Sequence, residues 1–502
     1  MPRKGKCFST CRKRPKPECS VPECYYTNGN QYKYCRLSFT RKMNTDCIAV
    51  PKKPGNSKTE KLAEFRKRTA TRKIGRFLRK YEPTIRSKFL QSVCSDSGVC
   101  IAFGTHADAI RKHFDDFDNF KLLSKPLKSI GAVSANGFVK ELTYEHKGYV
   151  ANAILKSSAN PRSDNLLYEA VVGLFLNKVS KYLPCFVETY GLYEYTDPLV
   201  YKMLMRDKLT QPDSIKDGLK RIATKNRDIR QSMIADSCKN STSISVLIQH
   251  LKGVETVKEK CKSRSFVRND LVYVLFQVYM ALNTLSGSFT HYDLHNENVL
   301  VYEPVKGKYI EYHYHLADGT EFTFKSPYIA KIIDYGRSYY KYSSGNGAGK
   351  FRDTMCGVCV KPACGNGSGY GWLNHEQTAH SYFISSANYH PSHDLRLLKI
   401  VGKTTGMEPG LQNLLKRVVY GVGLTKDNKP FGTTPKKISG LPRYINNITD
   451  AYNAILKYAR TPDIVERNND GYTKESNKLG DLHIYTDGRT MKYHGNSNEL
   501  RP

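Results

Sequence analysis

Apolar and polar side chains alternate along several short stretches of the chain, which is the pattern of half-buried β-strands. Two of these stretches are joined by a turn predicted at 146–148, and two others flank Asp318-Gly319. An Asp-Gly pair between alternating segments is a strong signal for a tight hairpin. Strands are therefore predicted, in chain order, over 137–144, 149–156, 199–204, 244–249, 309–316 and 321–325.

Apolar positions recur with helical spacing in other parts of the chain. The longest apolar helix is predicted over 266–285, and another over 163–181. Residues 394–456 also have the texture of helices. A basic amphipathic helix is predicted within 60–90, where Pro83 marks its end or a new start. Strands and helices mixed in this way indicate an α+β protein.

Two polar segments show neither the alternation of a strand nor the spacing of a helix. Residues 205–243 are rich in Lys, Arg, Asp and Ser, and they are predicted to form a long loop or an insertion between strands. Beyond Glu466 the chain is polar and rich in Asn and Gly, so a weakly ordered tail is expected there.

The composition is that of a folded protein with a strong positive charge. The chain has 502 residues, 39% of them hydrophobic and 25% charged, which is enough for one large or two moderate globular units. Lys and Arg number 79 against 46 Asp and Glu, which gives a net charge of +33. Residues 1–90 alone hold 25 basic and 6 acidic side chains, a net charge of +19. Nucleic acid is therefore the first predicted partner of this segment, and a merely solvated tail is the alternative.

The sequence carries no signal for a membrane span or for secretion. Its longest apolar stretch, 271–285, is interrupted by Gln277 and Asn283 and is shorter than the ~20 residues that a membrane span needs. The first residues are basic and no apolar segment follows them, so no signal peptide is predicted. An intracellular, reducing location is expected, either the cytoplasm or the nucleus. Residues 12–16, Arg-Lys-Arg-Pro-Lys, fit a nuclear import signal.

The fourteen cysteines favour metal sites over disulfides in such a compartment. Six of them lie in the first 50 residues, with irregular spacing that matches no regular zinc motif. A second group is followed by two histidines that would complete a small site; it consists of Cys356, Cys359, Cys364, His375 and His380. A structural Zn²⁺ ion is one interpretation of each group, and incidental thiols are the other.

Residues suited to catalysis concentrate in two segments. Residues 291–300 place Asp293 five positions before Asn298, on a short loop after the long helix. Asp334 follows another apolar strand, two positions before a glycine. One carboxylate can face a hydroxyl while the amide and the second carboxylate bind Mg²⁺, which prefers oxygen ligands and substrate phosphates. Together these residues predict phosphoryl transfer from a nucleotide.

The two segments resemble the protein-kinase signature, in which Asn lies five residues beyond the Asp of a His-Arg-Asp loop and an Asp-Phe-Gly turn follows. The resemblance implies the catalytic-base position for Asp293 and Mg²⁺ binding by Asn298 and Asp334. His291 takes the structural histidine position of the loop, and Tyr335 replaces the usual Phe. The resemblance also implies ATP as donor and a two-lobed fold, with a small β-rich N-lobe and a larger helical C-lobe behind a basic N-terminal extension.

The elements that the family carries upstream occur here in the same order. Lys156 ends an apolar strand and would contact the α- and β-phosphates, while Glu169 on the next helix would pair with it. Ala132 and Ser134 stand where the family usually has its first two glycines, and Asp394 would be buried and brace the catalytic loop. The catalytic residues that the resemblance implies are Asp293, Lys156, Glu169 and His295. The nucleotide-binding positions are Gly131, Ser134, Gly137, Val139, Lys156, Gln249 and Leu251.

Departures from the family pattern leave the substrate class open. His295 stands two residues after Asp293, where protein Ser/Thr kinases usually carry Lys. Asp-Leu-His also occurs in small-molecule kinases of the aminoglycoside and choline type and in some atypical protein kinases. No Ala-Pro-Glu follows Asp334. A small-molecule phosphotransferase and an inactive kinase-like DNA-binding or virion protein are therefore the alternatives to a protein kinase.

Residues 89–104 resemble the segment that precedes the catalytic core in serine/threonine kinases of large nucleocytoplasmic DNA viruses, iridoviruses in particular. Residues 19–35 are similar to short Cys-containing adaptor segments of such proteins. The resemblance spans about residues 10–420 and implies a viral serine/threonine protein kinase that can be packaged in virions. Four segments are predicted: a basic Cys-containing tail or adaptor (1–60), a basic helical extension (61–119), a kinase-like domain (120–465) and a polar C-terminal tail (466–502).

Overall fold

The chain divides into two compact units, Met1–Pro83 and Thr84–Pro502. In the first unit, β1 (Cys24–Asn28) and β2 (Lys33–Leu37) form an antiparallel hairpin. The predicted helix within 60–90 and the side chains of both cysteine groups lie outside the described residues. The computed structural model describes residues 24–28, 33–37, 103–104, 106–130, 137–159, 165–208, 213–225, 228–229, 233, 241–341, 389–419, 423–424, 430–431 and 444–495.

Helices and strands are mixed throughout the second unit. Its described helices are α1 (His106–His113), α2 (Asn165–Val179), α3 (Pro198–Met205), α4 (Asp213–Gly218), α5 (Val257–Lys260), α6 (Arg264–Asn269), α7 (Leu271–Thr284), α8 (Arg396–Val401), α9 (Pro409–Lys416), α10 (Ile448–Ala459) and α11 (Pro462–Gly471). Its described strands are β3 (Lys128–Ser129), β4 (Phe138–His146), β5 (Tyr149–Ser157), β6 (Thr189–Tyr195), β7 (Leu219–Ala223), β8 (Ile244–Gln249), β9 (Glu255–Thr256), β10 (Phe289–Thr290), β11 (Val299–Tyr302), β12 (Tyr309–His315), β13 (Glu321–Ser326), β14 (Ile329–Ile332), β15 (Tyr339–Tyr340), β16 (Gly423–Leu424), β17 (Pro430–Phe431), β18 (Lys478–Tyr485) and β19 (Lys492–Gly495).

The largest sheet has six strands in the order β3-β4-β5-β8-β6-β7. β4 and β5 form the predicted hairpin, and Gly148 in its turn has a positive φ of 80°, which glycine adopts without strain. β8 pairs antiparallel with both β5 and β6. The largely apolar α2 packs against β6 and β8. The strands predicted over 137–144, 149–156 and 244–249 and the helix predicted over 163–181 are therefore confirmed.

An aromatic cluster that follows α1 packs against this sheet. The Phe117 ring stacks on Tyr190 with centroids 3.9 Å apart and meets Tyr144 edge-on. Tyr144 Oη also donates a hydrogen bond to the carbonyl of Phe117 at 3.1 Å. Phe114 and Phe120 are buried beside them. Residues 106–123 therefore share an apolar core with the sheet.

α7 is the buried centre of the helical part of the unit, and α10 packs along it. Gln277 in the middle of α7 donates to the carbonyl of Tyr328 and accepts from the N–H of Ala330, both at 3.0 Å. Both polar atoms of this side chain therefore have a hydrogen-bond partner inside an apolar environment. The helix predicted over 266–285 is confirmed with a break, because α6 ends at Asn269 and Asp270 separates it from α7.

A second sheet combines the predicted hairpin with the end of the chain. β12 and β13 pair around Asp318-Gly319 as predicted. β18 lies parallel to β12, and β19 pairs with β18, in the order β13-β12-β18-β19. The weakly ordered tail expected beyond Glu466 is therefore wrong for residues 467–471, which end α11, and for residues 478–495. Leu482 and Ile484 are completely buried, so this stretch gains its order by packing an apolar face beside β12.

The strand predicted over 199–204 is also wrong, because this stretch forms the helix α3. Asp197 precedes it as an N-cap whose side chain accepts a backbone N–H at 2.8 Å, and Pro198 occupies the first helical turn. Its buried residues, Val200 and Leu204, are four positions apart. This is the spacing of one helix face and not of a strand.

Of the two interpretations of 205–243, a long loop is wrong for residues 213–223, whereas the helical texture predicted over 394–456 is confirmed in the described part of that segment. The loop predicted over 205–243 contains α4 and also β7, which extends the six-stranded sheet beside β6. Residues 394–456 contain α8, α9 and α10. The fold is thus α+β, with a β-rich region followed by helices later in the chain. Among the described residues, no helix combines the length and apolar character that crossing a membrane requires.

Candidate active site

Lys156, near the end of β5, contacts two carboxylates. Its Nζ donates to Glu169 Oε2 at 2.6 Å and to Asp334 Oδ1 at 3.3 Å. The Glu169 side chain is 6% exposed, whereas that of Asp334 is 46% exposed. The buried carboxylate therefore holds the ammonium in place, and the exposed one faces solvent beside it.

The strand register explains how Lys156 reaches this position. Val139 on β4 and Val246 on β8 lie opposite Lys156 on its two sides. Side chains alternate between the faces of a strand, and Leu155 is completely buried. Lys156 therefore points to the opposite face, where Glu169 of α2 meets it.

The charges of Lys156 and Asp334 stabilise each other. Burial alone lowers the pKa of Lys156, but the carboxylates of Asp334 and Glu169 outweigh burial and the net shift is upward. The ammonium of Lys156 in turn lowers the pKa of Asp334. Lys156 and Asp334 are therefore both ionised at neutral pH, because each favours the charged form of the other.

The loop after β10 is held by the buried side chain of Asp394. Its two carboxylate oxygens accept the backbone N–H groups of His291, at 2.7 Å, and Tyr292, at 2.9 Å. Tyr292 has a φ of +64°, which costs about 1–2 kcal/mol in a residue other than glycine. The two hydrogen bonds offset that strain. Asp394 thus makes the contacts expected of a residue that braces this loop, and burial raises its pKa to about 7.

His291 links this loop to the strand that precedes Asp334. Its Nδ1 accepts the N–H of Asp293 at 3.2 Å, and its Nε2 lies 2.8 Å from the carbonyl of Ile333. These two contacts require a proton on Nε2 and none on Nδ1. Burial lowers the pKa of His291, which favours this neutral form.

Asp293, Asn298 and Asp334 lie in adjacent, hydrogen-bonded segments. Asn298 Nδ2 donates to the carbonyl of Asp293 at 2.9 Å, and the carbonyl of Asn298 accepts the N–H of Ile333 at 3.1 Å. Asp334 follows directly with a φ of +67°. Because the amide nitrogen of Asn298 is used within the loop, its Oδ1 is left as the oxygen for a metal ion.

Two arginines contact the carboxylate of Asp293. Arg396 Nη1 lies 2.7 Å from Oδ1, and Arg337 Nη1 lies 3.5 Å from Oδ2. His295 is more distant, with its Nε2 at 3.9 Å from Oδ1. Burial lowers the pKa of His295, so it is neutral at pH 7. Neither arginine is predicted to have a role from the sequence, although Arg337 directly follows the Asp334-Tyr335-Gly336 turn and Arg396 lies two positions after Asp394. Their contact with Asp293 depends on the fold, because Arg396 lies 103 positions beyond Asp293.

Tyr335 fixes the turn that contains Asp334. Its Oη donates to the carbonyl of Ile332 at 2.6 Å and accepts the N–H of Val187 at 3.0 Å. Burial raises the pKa of Tyr335, so the hydroxyl stays protonated. The hydroxyl that distinguishes Tyr from Phe therefore ties this turn to the segment that leads into β6.

Gly137 directly precedes β4, where only a glycine fits. Its φ is +155°, and an added Cβ would lie 2.2 Å from the carbonyl oxygen of Ser157. The backbones of β4 and β5 therefore approach each other closely near Lys156. The predicted positions Gly131 and Ser134 lie outside the described residues.

Two of the other predicted nucleotide-binding positions lie on the same sheet as Lys156. Val139 is on β4, opposite Lys156, and Gln249 is the last residue of β8. Leu251 lies two positions beyond the end of β8 and is buried.

The donor set fits Mg²⁺ and the phosphates of a nucleotide. Asp334 and Asn298 offer carboxylate and amide oxygens, which are the hard ligands that Mg²⁺ takes together with water and phosphate oxygens. Lys156 supplies a cation beside them. Asp293, on the loop next to Asn298, supplies a carboxylate that can accept a proton. The arrangement can therefore bind a charged phosphate chain and activate a hydroxyl.

The sequence of the chain was compared with protein-family models and with curated proteins. No protein-family model matches the chain, and no curated protein matches it at a significant level. The functional conclusion therefore depends on the geometry of the site.

Proposed function

We propose that the chain is an ATP-dependent serine/threonine protein kinase with a two-lobed kinase-like fold, similar to kinases of large nucleocytoplasmic DNA viruses. The observation that carries the proposal is the contact of the Lys156 ammonium with both Glu169 and Asp334. A lysine-glutamate pair that meets a metal-binding aspartate is the arrangement that protein kinases use to hold nucleotide phosphates.

The proposed roles follow from these contacts. Lys156 binds the α- and β-phosphates of ATP, and Glu169 holds its ammonium in position. Asp334 and Asn298 bind Mg²⁺, which neutralises charge on the phosphate oxygens when it is bound. Asp293 orients the hydroxyl of the acceptor and takes its proton.

The arginines beside Asp293 supply a positive charge that the neutral His295 does not. Protein Ser/Thr kinases usually carry Lys at the position of His295, where it contacts the transferred phosphate. Arg396 and Arg337 both contact the carboxylate of Asp293, which lies two positions before His295. We therefore propose that the two arginines stabilise the negative charge that develops on the phosphate during transfer, since a guanidinium pairs well with phosphate oxygens.

A small-molecule phosphotransferase is the second candidate, and His295 favours it because Asp-Leu-His occurs in such enzymes. An inactive kinase-like protein is the third candidate. The charged positions of the site argue against inactivity, because all four are occupied and each side chain contacts an oppositely charged group. These residues are Lys156, Glu169, Asp293 and Asp334.

The N-terminal region belongs to a separate part of the proposal. Residues 1–90 carry a net charge of +19, and we propose that they bind nucleic acid through phosphate contacts. Such binding weakens steeply as salt is added, because counterions are released when phosphates are neutralised. Location in the host cytoplasm or nucleus and packaging in virions belong to the same proposal.

A transfer assay separates the three candidates. The full-length protein is incubated with Mg²⁺, γ-labelled ATP and, in separate reactions, a basic protein, an acidic protein, choline and an aminoglycoside. We expect label on Ser or Thr of a protein, and none with the Lys156→Met variant. Lys457→Met, at an exposed position on α10, is the matched control and should label substrate as the wild type does.

The other outcomes of this assay are equally informative. Turnover on a small alcohol alone would favour the second candidate. Absence of any transfer, together with salt-dependent DNA binding, would favour the third.

A further inference from the structure

One face of the sheet formed by β13, β12, β18 and β19 carries an unusual set of side chains. The even positions of β12 are buried, whereas Glu311, His313 and His315 lie on its partly exposed face. On the neighbouring β18, Asp481 and His483 occupy the same face. Because β12 and β18 are parallel and in register, these acidic and imidazole groups form adjacent rows.

Both nitrogens of His313 face carboxylates. Nδ1 lies 2.8 Å from Glu321 Oε1, and Nε2 lies 3.1 Å from Asp481 Oδ1. A neutral imidazole has one proton, so only one of these contacts is then a hydrogen bond. The other pair of atoms would be two acceptors in contact unless a second proton or a cation lies between them.

Asp481 and the neighbouring Glu311 already contact a cation of the chain itself. Lys478 Nζ lies 2.7 Å from Glu311 Oε2 and 2.9 Å from Asp481 Oδ1. Asp481 Oδ1 is therefore shared by an imidazole and an ammonium. Ligand atoms of Glu311, His313 and Asp481 all lie within 4.8 Å of one another, around the position that this ammonium approaches.

We propose that Glu311, His313 and Asp481 form a binding site for a divalent transition-metal ion of the Zn²⁺ type. One imidazole and two carboxylates are a ligand set that Zn²⁺ accepts. The 3.1 Å between His313 Nε2 and Asp481 Oδ1 suits two neighbouring ligands of one ion, each at about 2.0–2.2 Å from it. Water completes the coordination, because the site is partly exposed.

Glu321 supports this assignment from the second layer of contacts. A metal-binding histidine usually donates its other ring nitrogen to a carboxylate, which fixes the ring and the tautomer. Glu321 occupies that place at Nδ1 of His313. The tautomer with the proton on Nδ1 leaves the lone pair of Nε2 directed at the proposed ion.

Binding of the ion exchanges one set of positive charges for another. The ion takes the place of the ammonium of Lys478, which moves into solvent, and of any proton on His313 Nε2, which is released to solvent. The two carboxylates balance the charge of the ion. Lys478 is therefore a competitor that keeps the site neutralised when no metal is bound.

The proposed ion would bridge β18, near the end of the chain, to β12 of the β12–β13 hairpin. Glu311 and His313 belong to β12, whereas Asp481 belongs to β18, 168 positions beyond His313. An ion shared by both strands binds only when they are paired. It should therefore stabilise the folded chain by an amount that grows with the logarithm of the free ion concentration once that concentration exceeds the Kd.

Equilibrium dialysis of the full-length protein against Zn²⁺ tests the proposal. We expect the wild type to bind one more equivalent than His313→Gln, whereas zinc held by cysteines is common to both. Glu321→Gln should bind this equivalent about 10–100-fold more weakly. Lys478→Met should bind it more tightly than the wild type, because the competing ammonium is gone.

His315→Gln is the matched control, since His315 lies on the same strand and face and its Nε2 contacts His483 Nδ1 at 3.1 Å. It should keep the extra equivalent. Thermal unfolding gives an independent readout: added Zn²⁺ should raise the Tm of the wild type more than that of His313→Gln. Equal stoichiometry in wild type and His313→Gln, or loss of the equivalent in His315→Gln alone, would overturn the proposal. If His313→Gln does not fold, unchanged affinity in Lys478→Met overturns it instead.

Discussion

Two guanidinium groups and a neutral imidazole surround the carboxylate of Asp293. Arg396 is the closest, at 2.7 Å, and it belongs to the segment directly after Asp394. The residue that braces the loop and the residue that contacts its carboxylate are thus two positions apart. A single short segment at the start of α8 therefore fixes both the backbone and the charge of the proposed catalytic loop.

Replacing Arg396 tests the charge assigned to it. We expect Arg396→Ala to lower kcat for phosphoryl transfer by about 10²-fold, the scale seen when one group that stabilises developing charge is removed. The KM for ATP should change little, because Lys156 and Asp334 remain. Arg396→Lys should recover part of the rate.

The control for this variant is Arg268→Ala, which removes an exposed arginine that pairs with Glu408 and not with Asp293. It should leave kcat unchanged. A higher kcat in Arg396→Ala would contradict the assignment, because it would make the contact with Asp293 inhibitory.

Among the elements, β18 extends the second sheet beside β12 and contributes buried side chains to its apolar face. Leu482 is fully buried on this strand. We expect Leu482→Ala to lower the free energy of unfolding by about 2–5 kcal/mol, through lost burial and the cavity that remains. Urea titration followed by circular dichroism measures this change.

Val465→Ala provides the comparison, since Val465 is exposed on α11 and its truncation should change the free energy of unfolding by less than about 0.5 kcal/mol. Equal costs for the two variants would show that the C-terminal strand is not an integral part of the fold.

The elements that the sequence predicts correctly are those with a local signal. Alternation identifies β4, β5, β8, β12 and β13, and the Asp318-Gly319 turn fixes the register of the hairpin. The stretch 199–204 was misassigned because it is short and apolar, although Asp197-Pro198 before it is a helix start.

β18 was missed for a different reason. Its outward positions are Asp, His and Tyr, which read as a polar tail, and its partner β12 is distant in the sequence. Pairing between distant segments leaves no local pattern. Arg337 and Arg396 stand beside the Asp334 turn and Asp394, but the sequence does not show that their guanidinium groups reach Asp293, because that contact joins distant segments. The spacing of Asp293, Asn298 and Asp334, in contrast, is visible in the sequence directly.

At the scale of the whole molecule, buried ionisable groups link stability to pH. Burial lowers the pKa of His393 well below its ordinary value. The folded state keeps this ring neutral, whereas the unfolded state takes up a proton near pH 6.5. Stability from this group is therefore present at pH 7 and is lost as the pH falls below 6.5. Asp394 acts in the opposite direction, because its raised pKa lets the folded state hold a proton that the unfolded state loses above about pH 4.

The His393→Gln variant isolates the histidine contribution. We expect the free energy of unfolding of the wild type to fall relative to the variant as the pH drops from 6.5 to 5, with a slope that approaches about 1.4 kcal/mol per pH unit at the acidic end. Asp394 is present in both proteins and is common to the comparison. Urea titrations at pH 5, 6 and 7 give the difference, and a difference that does not vary with pH would contradict the assignment of a neutral buried ring.

We propose that Lys156, Asp334 and Asn298 hold magnesium-bound ATP for transfer. The most direct measurement is the rate of γ-phosphate transfer to protein as a function of Mg²⁺ concentration, for the wild type, Asp334→Asn and Asp318→Asn. The account predicts that Asp334→Asn loses about 10²-fold or more of the rate at every Mg²⁺ concentration while its Tm stays near that of the wild type. Asp318→Asn, an exposed turn residue, should behave as the wild type. Transfer by Asp334→Asn at the wild-type rate would contradict the account.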